Sequence, residues 1–489
     1  MSILIYVLSS TTVIILSMLL INSKSKLISI ICFLLMLINY ALLYLAIFTG
    51  QTLNITILDS IFETTYQEAS SMLMNIKYIT IIILSFISAF TSFYFSKKIK
   101  VNPIVIKIIY LSSIVYFFIY IFFIYYFFHG SYKDYRNIEA FKETKTALGL
   151  YLYNKAPHPL SDLTYFLIKT IDNQDKYKKT ENEKKLNENI KAFKDTKADI
   201  IIFIMGESSW KKRYSIYGYS LNTTPNMKKF FLNDLNGCVL DGFSQATATR
   251  DSVPLSFSFS TPKSYQGLSN EKSVMEIAKL QGYKTYWLSS QEINGLYGSK
   301  YGYLTKSMDE VRFTYADDKK IPQLLMDALN ESSEKKFIIL HLLGSHEPYT
   351  NFTKKNKVAL PNADNYDLTI HHTDQILNSI FDTLNSYNQP FSLIYTSDHG
   401  EIVNVGHGFI HGVSQIEIPL LAYSNNGYDV CNNYKNKKNK YGEINALSNK
   451  LILLDMMGVE LNNSFINSEI NNNELLKADG EIINYKDFN

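Results

Sequence analysis

Asp199-Ile200-Ile201-Ile202-Phe203-Ile204-Met205-Gly206-Glu207 is a continuous apolar run that stops at a glycine and a carboxylate. A short run rich in β-branched residues reads as a strand buried on both faces, the kind found in parallel sheets. Similar runs recur at 284–288, 336–343 and 392–396, with a further one near 418–423. Helical patterns at 273–281, 321–330 and 367–384 lie between them. Strand alternating with helix at this spacing predicts an α/β domain around a mostly parallel central sheet. Ligands of such sheets bind beyond the carboxyl ends of the strands, so chemistry is expected just after each run.

Glu207 follows the first run directly, and Asp398 and His399 follow the fourth, in Thr396-Ser397-Asp398-His399-Gly400-Glu401. A lone strand-end carboxylate is more often a helix cap. Two carboxylates and an imidazole at matching strand mouths favour a metal site, suit zinc or manganese, and leave a position for a reactive group. Ala246-Thr247-Ala248-Thr249-Arg250-Asp251-Ser252-Val253-Pro254 is dense in hydroxyls and turn formers. A hydroxyl at a helix start can attack phosphorus while helix N–H groups stabilise the anion. Local composition by itself favours a capping turn there.

Histidines supply a third element. His346, in Leu343-Gly344-Ser345-His346-Glu347-Pro348, and His411, in His407-Gly408-Phe409-Ile410-His411-Gly412, can each bind phosphate or pass a proton. His341, inside its strand, reads as structural, and His371 and His372 read as surface residues of a helix. A formal net charge of +3 with no basic patch interleaved with aromatics excludes nucleic acid as a partner. The cysteines are Cys32, Cys238 and Cys431. Without a Cys-x-x-Cys pair a thiolate metal site is not expected, and at most Cys238 and Cys431 can form a disulfide in the globular part.

The mean hydropathy of −0.05 averages two unlike parts. Up to Phe128 the chain is dominated by Ile, Leu, Phe and Tyr, and four stretches, 2–21, 27–48, 78–96 and 104–128, are apolar enough to cross a bilayer. The first connector carries Lys24 and Lys26, and the third carries Lys97, Lys98 and Lys100. The second, 49–77, holds Asp59, Glu63 and Glu68, with Lys77 only at its end. The positive-inside rule then puts the first and third connectors in the cytoplasm, and the second connector and everything after Phe128 outside. The expected organisation is a transmembrane domain of about four helices at 1–128, an interfacial and linker segment at 129–197, and an external catalytic domain at 198–489. Within the linker, 173–197 is rich in Lys, Glu, Asn and Asp and reads as a solvated helix or linker.

These pieces, in this order, resemble the phosphoethanolamine transferases of Gram-negative bacteria, inner-membrane members of the alkaline-phosphatase/sulfatase superfamily that modify lipid A or lipopolysaccharide core and include the enzymes of mobile polymyxin resistance. Gly206-Glu207-Ser208, followed by Tyr217-Gly218-Tyr219 and Thr223-Thr224-Pro225, resembles the first metal motif of that family. Ser397-Asp398-His399-Gly400-Glu401 resembles the second. The family nucleophile stands five residues before a Val-Pro proline, which selects Thr249 over Thr247. Gly344-Ser345-His346 and His411-Gly412 match two phosphate-contacting histidines. In the second connector Ser60, Thr64 and Glu68 match donor-binding positions, with Ser60 where the family usually has Asn. The family usually has five spans and staples many lipid A enzymes with cysteines that are absent here. Tyr286-Trp287-Leu288-Ser289-Ser290-Gln291 is closer to the branch acting on core sugars or other glycans.

The resemblance implies an α/β alkaline-phosphatase/sulfatase-like domain in the periplasm. It implies a zinc ion, manganese being the lesser fit, held by Glu207, Thr249, Asp398 and His399. Phosphatidylethanolamine is the implied donor, Thr249 carries the phosphoethanolamine, and lipopolysaccharide or another glycolipid accepts it among the membrane lipids. Alternatives on the same scaffold are a glycerophosphate transferase of lipoteichoic-acid type and a sulfatase or phosphatase. A sulfatase usually has Cys/Ser-x-Pro-x-Arg at the nucleophile turn, which is absent here. A rival of another class is an inactive membrane sensor or scaffold; the intact threonine and full ligand set argue against it.

Overall fold

The computed structural model describes residues 3–21, 26–49, 76–98, 102–131, 183–291, 300–408, 412–478 and 481–488, with 148, 151, 152, 155 and 164. The chain forms two compact units, Met1–Asp175 and Lys176–Asn489.

In the first unit, helices α1 (Ile3–Leu20), α2 (Lys26–Thr49), α3 (Ile76–Ser96) and α4 (Pro103–Tyr126) occupy the four apolar stretches. Among the described residues, Lys26–Phe48 and Tyr78–Ser96 are long and apolar enough to cross a membrane. α2 and α3 are joined by polar pairs, Tyr40 Oη to Ser92 Oγ at 2.6 Å and Tyr44 Oη to Ser88 Oγ at 2.7 Å. Their outer faces stay apolar, with Leu27, Ile38, Ile87 and Phe90 exposed. That pattern suits lipid, where interhelical hydrogen bonds can join apolar helices. Asn102 accepts from Ile104 N and Pro103 follows it, so α4 starts where the sequence stops donating. The second connector, with Ser60, Thr64 and Glu68, lies outside the described residues.

Among the described residues the second unit has twelve strands: β1 (Ile190–Phe193), β2 (Ile200–Gly206), β3 (Gly237–Phe243), β4 (Lys284–Ser289), β5 (Glu310–Phe313), β6 (Lys336–His341), β7 (Ser392–Ser397), β8 (Glu417–Ser424), β9 (Ile444–Asn445), β10 (Val459–Leu461), β11 (Glu474–Leu476) and β12 (Ile482–Asn484). Eight of them form one sheet in the order β5-β4-β6-β2-β7-β8-β3-β9. β4, β5, β6, β2 and β7 are mutually parallel, whereas β8 runs antiparallel to both β7 and β3. The mostly parallel sheet is as expected. All seven residues of β2 are buried, and they alternate between two cores. Ile201, Phe203 and Met205 pack with Phe257, Trp287 and Leu453, whereas Ile200, Ile202 and Ile204 pack with Leu288, Ile380 and Tyr395. Each fully buried aliphatic or aromatic side chain contributes roughly 1.5–3 kcal/mol, so a charge placed in β2 would break the sheet at its centre.

Two expectations are corrected. Among the described residues of the charged run at 173–197, Ile190–Phe193 form β1, antiparallel to β10. Lys184 is buried there in an ion pair with Glu276 at 3.0 Å. A charge run reads as solvated only when no buried partner waits for it. His371 and His372 are buried, at 6% and 2% exposure, not on the surface. The helix Asn365–Tyr387 turns both toward the protein, His371 Nδ1 lies 3.2 Å from Thr223 O, and burial lowers both imidazoles. Cys238 and Cys431 form a disulfide between β3 and the helix Val430–Lys435.

Candidate active site

Parallel register brings the chemistry to one edge. Gly206 at the end of β2 pairs with Ser397 at the end of β7, so Glu207 and Asp398 leave the sheet side by side. β3 reaches the same edge by two reversals, since it is antiparallel to β8 and β8 to β7. After β3 the chain turns through 244–248, and the helix Thr249–Phe257 begins at Thr249 itself. Ser244 Oγ donates to Asp398 O at 2.6 Å and fastens that turn to the Asp398 loop.

Thr249 Oγ1 lies 3.3 Å from each carboxylate oxygen of Glu207 and 3.3 Å from His399 Nε2. His399 Nε2 is also 3.3 Å from Asp398 Oδ2. Glu207, Asp398 and His399 are all buried, and their ligand atoms lie within 4.8 Å of one another. Asp398 Oδ1 accepts from Ser208 N at 3.1 Å and His399 N at 2.7 Å, whereas Oδ2 is buried and faces His399 Nε2. His399 Nδ1 lies 2.8 Å from Gly400 O, which leaves Nε2 to face the carboxylates. Ser208, at φ 53°, holds a left-handed conformation costly for a side-chain-bearing residue.

The charges describe what this pocket wants. Burial acts to raise the Glu207 carboxyl, but His399, with His346 and Gln291 adding, holds it well below the usual carboxylate range. Burial and the Glu207 charge push Asp398 up to about 7. Burial acts to lower His399, but Asp398 and Glu207 outweigh it and raise it to about 10. Two carboxylates sharing one imidazole thus call for positive charge. The inward Asp398 Oδ2, the Glu207 carboxylate, the oriented Nε2 and the Thr249 hydroxyl make a donor set that fits a divalent metal.

His346 is carried on the turn after β6. Asp318, fully buried, accepts from Leu343 N at 2.9 Å and Gly344 N at 3.1 Å, and Ser345 N donates to Glu207 O at 3.0 Å. A Cβ at Gly344, where φ is +53°, would sit 2.9 Å from Glu207 N, so this approach requires glycine. His411 lies outside the described residues.

Two neighbours were not assigned from sequence. Gln291 Nε2 donates to Glu207 Oε2 at 3.0 Å and to Leu342 O at 2.8 Å. Its place just past β4, at the mouth of a strand, was the available signal. His407 Nδ1 lies 2.8 Å from Glu401 Oε2, and its ring lies 4.1 Å from that of His399. His399, Glu401 and His407 form a second group within ligand reach. Glu401, however, is already met by His407 and by Tyr349 Oη at 3.1 Å, so the Glu207 group is the better cation site.

A mostly parallel sheet with a hydroxyl beside carboxylates and imidazole at its carboxyl edge defines a sulfatase-like domain, and the chain belongs to the Sulfatase family, which matches residues 199–456. The chain is similar to phosphoethanolamine transferases in particular. It is 30% identical over 257 residues to phosphoethanolamine transferase EptA of Helicobacter pylori, covering 46% of this chain and 47% of that one. It is 28% identical over 281 residues to the putative transferase YhbX of Escherichia coli, covering 55% and 49%. The chain spans about half the length of the curated relatives it matches. The fold is shared with the integral membrane lipooligosaccharide phosphoethanolamine transferase A of Neisseria meningitidis, at TM-score 0.59 and 18% identity over 90% of this chain and 86% of that one. It is also shared with the periplasmic domain of Escherichia coli EptC in complex with Zn, at TM-score 0.52 and 19% identity over 62% and 97%.

Proposed function

We propose that this protein is an inner-membrane phosphoethanolamine transferase that carries the group on Thr249 from phosphatidylethanolamine to lipopolysaccharide or another glycolipid on the periplasmic side. The observation that carries the proposal is the place of Thr249: the first residue of a helix, with its hydroxyl 3.3 Å from Glu207 and His399. The names of the similar proteins support the group transferred.

Glu207, Asp398, His399 and Thr249 would hold zinc, which when bound lowers the pKa of the threonine hydroxyl and screens phosphate charge. Thr249 Oγ then forms a bond to the donor phosphorus as the bond to the diacylglycerol oxygen breaks. The N-terminus of the Thr249–Phe257 helix favours the phosphate anion. His346 and His411 stabilise the phosphate oxygens and return the proton to the leaving oxygen. An acceptor oxygen next displaces Thr249 from phosphorus and restores the hydroxyl. Ser60, Thr64 and Glu68 bind the donor headgroup. The Tyr286–Gln291 stretch supports a core sugar or other glycan as acceptor over lipid A.

Phosphatidylethanolamine supplied without acceptor leaves an adduct of about 123 Da on the tryptic peptide containing Thr249, read by mass spectrometry. Thr249→Ala loses adduct and transfer together. Transfer at the normal rate by Thr249→Ala would replace the covalent route with direct displacement.

A further inference from the structure

Thr247, two residues before Thr249, is fully buried, and its hydroxyl is committed on both sides. It donates to Gly408 O at 3.0 Å and accepts from Ala478 N at 3.0 Å. Ala478 N also lies 3.3 Å from Gly408 O, which closes a ring of three segments. One is the turn that presents Thr249. The second is the loop from Glu401 to Gly408 that leads toward His411. The third is a C-terminal strap, β11 and the residues after it.

The strap is laid along the turn. Leu476 N donates to Gln245 O at 2.9 Å, Thr247 N to Leu476 O at 3.1 Å, and Arg250 Nη2 to Ala478 O at 2.7 Å. Leu475 and Leu476 anchor it in two small apolar clusters, one with Phe243 and Phe488, the other with Ala246, Leu255 and Leu447. Gly408, at φ +90°, passes so close that a Cβ would stand 3.1 Å from the Ala478 Cβ. Glu207, Asp398 and His399 are carried by the ends of β2 and β7, and none of the ring's hydrogen bonds is made by their side chains. The strap therefore bears on where Thr249 stands and leaves the other three metal ligands on β2 and β7.

Resting on Thr249 as the group-carrying residue, we propose that Thr247 is a positioning residue whose hydroxyl ties the nucleophile turn to the Gly408 loop and to the C-terminal strap. The three segments hold Thr249 Oγ1 at attack distance as one body. Misplacing a reacting atom by about 1 Å costs on the order of 100-fold in rate. A methyl in place of the hydroxyl leaves Gly408 O and Ala478 N without their shared partner.

The test uses the full-length, zinc-loaded protein with phosphatidylethanolamine in detergent micelles, below the melting temperature of each variant. Wild type must first form the Thr249 adduct; its absence there rejects Thr249 as carrier, not the tether. Thr247→Val is expected to form the adduct about 10–100-fold more slowly, with wild-type zinc content and a donor KM within about twofold. Thr247→Ser, which keeps the hydroxyl, recovers most of the rate. Should the valine variant not fold, Thr247→Ala reads the same quantity without added bulk. Ala478→Pro removes the strap's N–H and slows the reaction similarly, and the double variant is no slower than the slower single one. A wild-type rate in the hydroxyl-less variant, loss of zinc from it, or additive slowing in the double variant would overturn the tether.

Discussion

Ser208 Oγ donates to one oxygen of Glu207 at 2.9 Å, and Gln291 Nε2 donates to the other at 3.0 Å. A carboxylate held on both oxygens presents its remaining lone pairs in one direction, which lowers the entropy cost of closing around a cation. Glu207→Ala or Asp398→Ala is therefore expected to empty the site of zinc and end transfer. Gln291→Ala is expected to keep the ligands and weaken zinc by about 10–100-fold, read by competition with a chelator. Unchanged affinity in Gln291→Ala would make its contact with Glu207 incidental. Glu207, Asp398 and His399 were legible because each directly follows an apolar run, and strand mouths are where such sheets work. Gln291 shares that strand-mouth position, but its partner Glu207, like Glu401 for His407, is fixed by tertiary packing that no local pattern records. The same limit hid Asp318, whose task is to hold the backbone of Leu343 and Gly344 from 25 and 26 residues away.

At the scale of elements, β2, β4, β6 and β7 announced themselves because strands covered on both faces leave no polar alternation to confuse with a helix. β3 escaped notice because Gly237, Asp241 and Gly242 interrupt its apolar run, and the exposed Asp241 instead pairs with Lys211 at 3.1 Å. The Thr249–Phe257 helix has a support of the same hidden kind. Lys450, fully buried in the helix Ser448–Met456, donates to Ser258 O at 2.9 Å and Ser260 O at 3.2 Å, and pairs with Glu469 at 2.6 Å. Ser258 caps the carboxyl end of the Thr249–Phe257 helix, so one ammonium satisfies carbonyls just past it and neutralises a buried acid. Lys450→Met strands the Glu469 charge and is expected to lower stability by about 3–5 kcal/mol, seen as a fall in melting temperature. Adding Glu469→Leu removes that charge and is expected to restore most of the loss. A stable single variant would show that water or another cation reaches Glu469.

For the whole molecule, charge bias and cysteine chemistry bear on one question from opposite ends of the chain. Under the proposed topology, Lys24 and Lys26 in the first connector, and Lys97, Lys98 and Lys100 in the third, favour the cytoplasm for those connectors. The Cys238–Cys431 disulfide, in the second unit, persists only where thiols are oxidised. The proposal of an external second unit satisfies both. It also fits the proposed chemistry, because donor and acceptor are lipids confined to a membrane and the nucleophile must meet them on their own side. A reporter active only outside the cytoplasm is expected to work when fused after Phe48 and to fail when fused after Lys24. Thiol labelling supplies an independent reading on the intact protein. The chain has three cysteines, and Cys32 alone is free. Denatured directly from cells in alkylating agent, the protein is expected to take up one label, and three only after reduction. Three labels without reduction would place the second unit in a reducing compartment, and the orientation drawn from the lysines would fall with it.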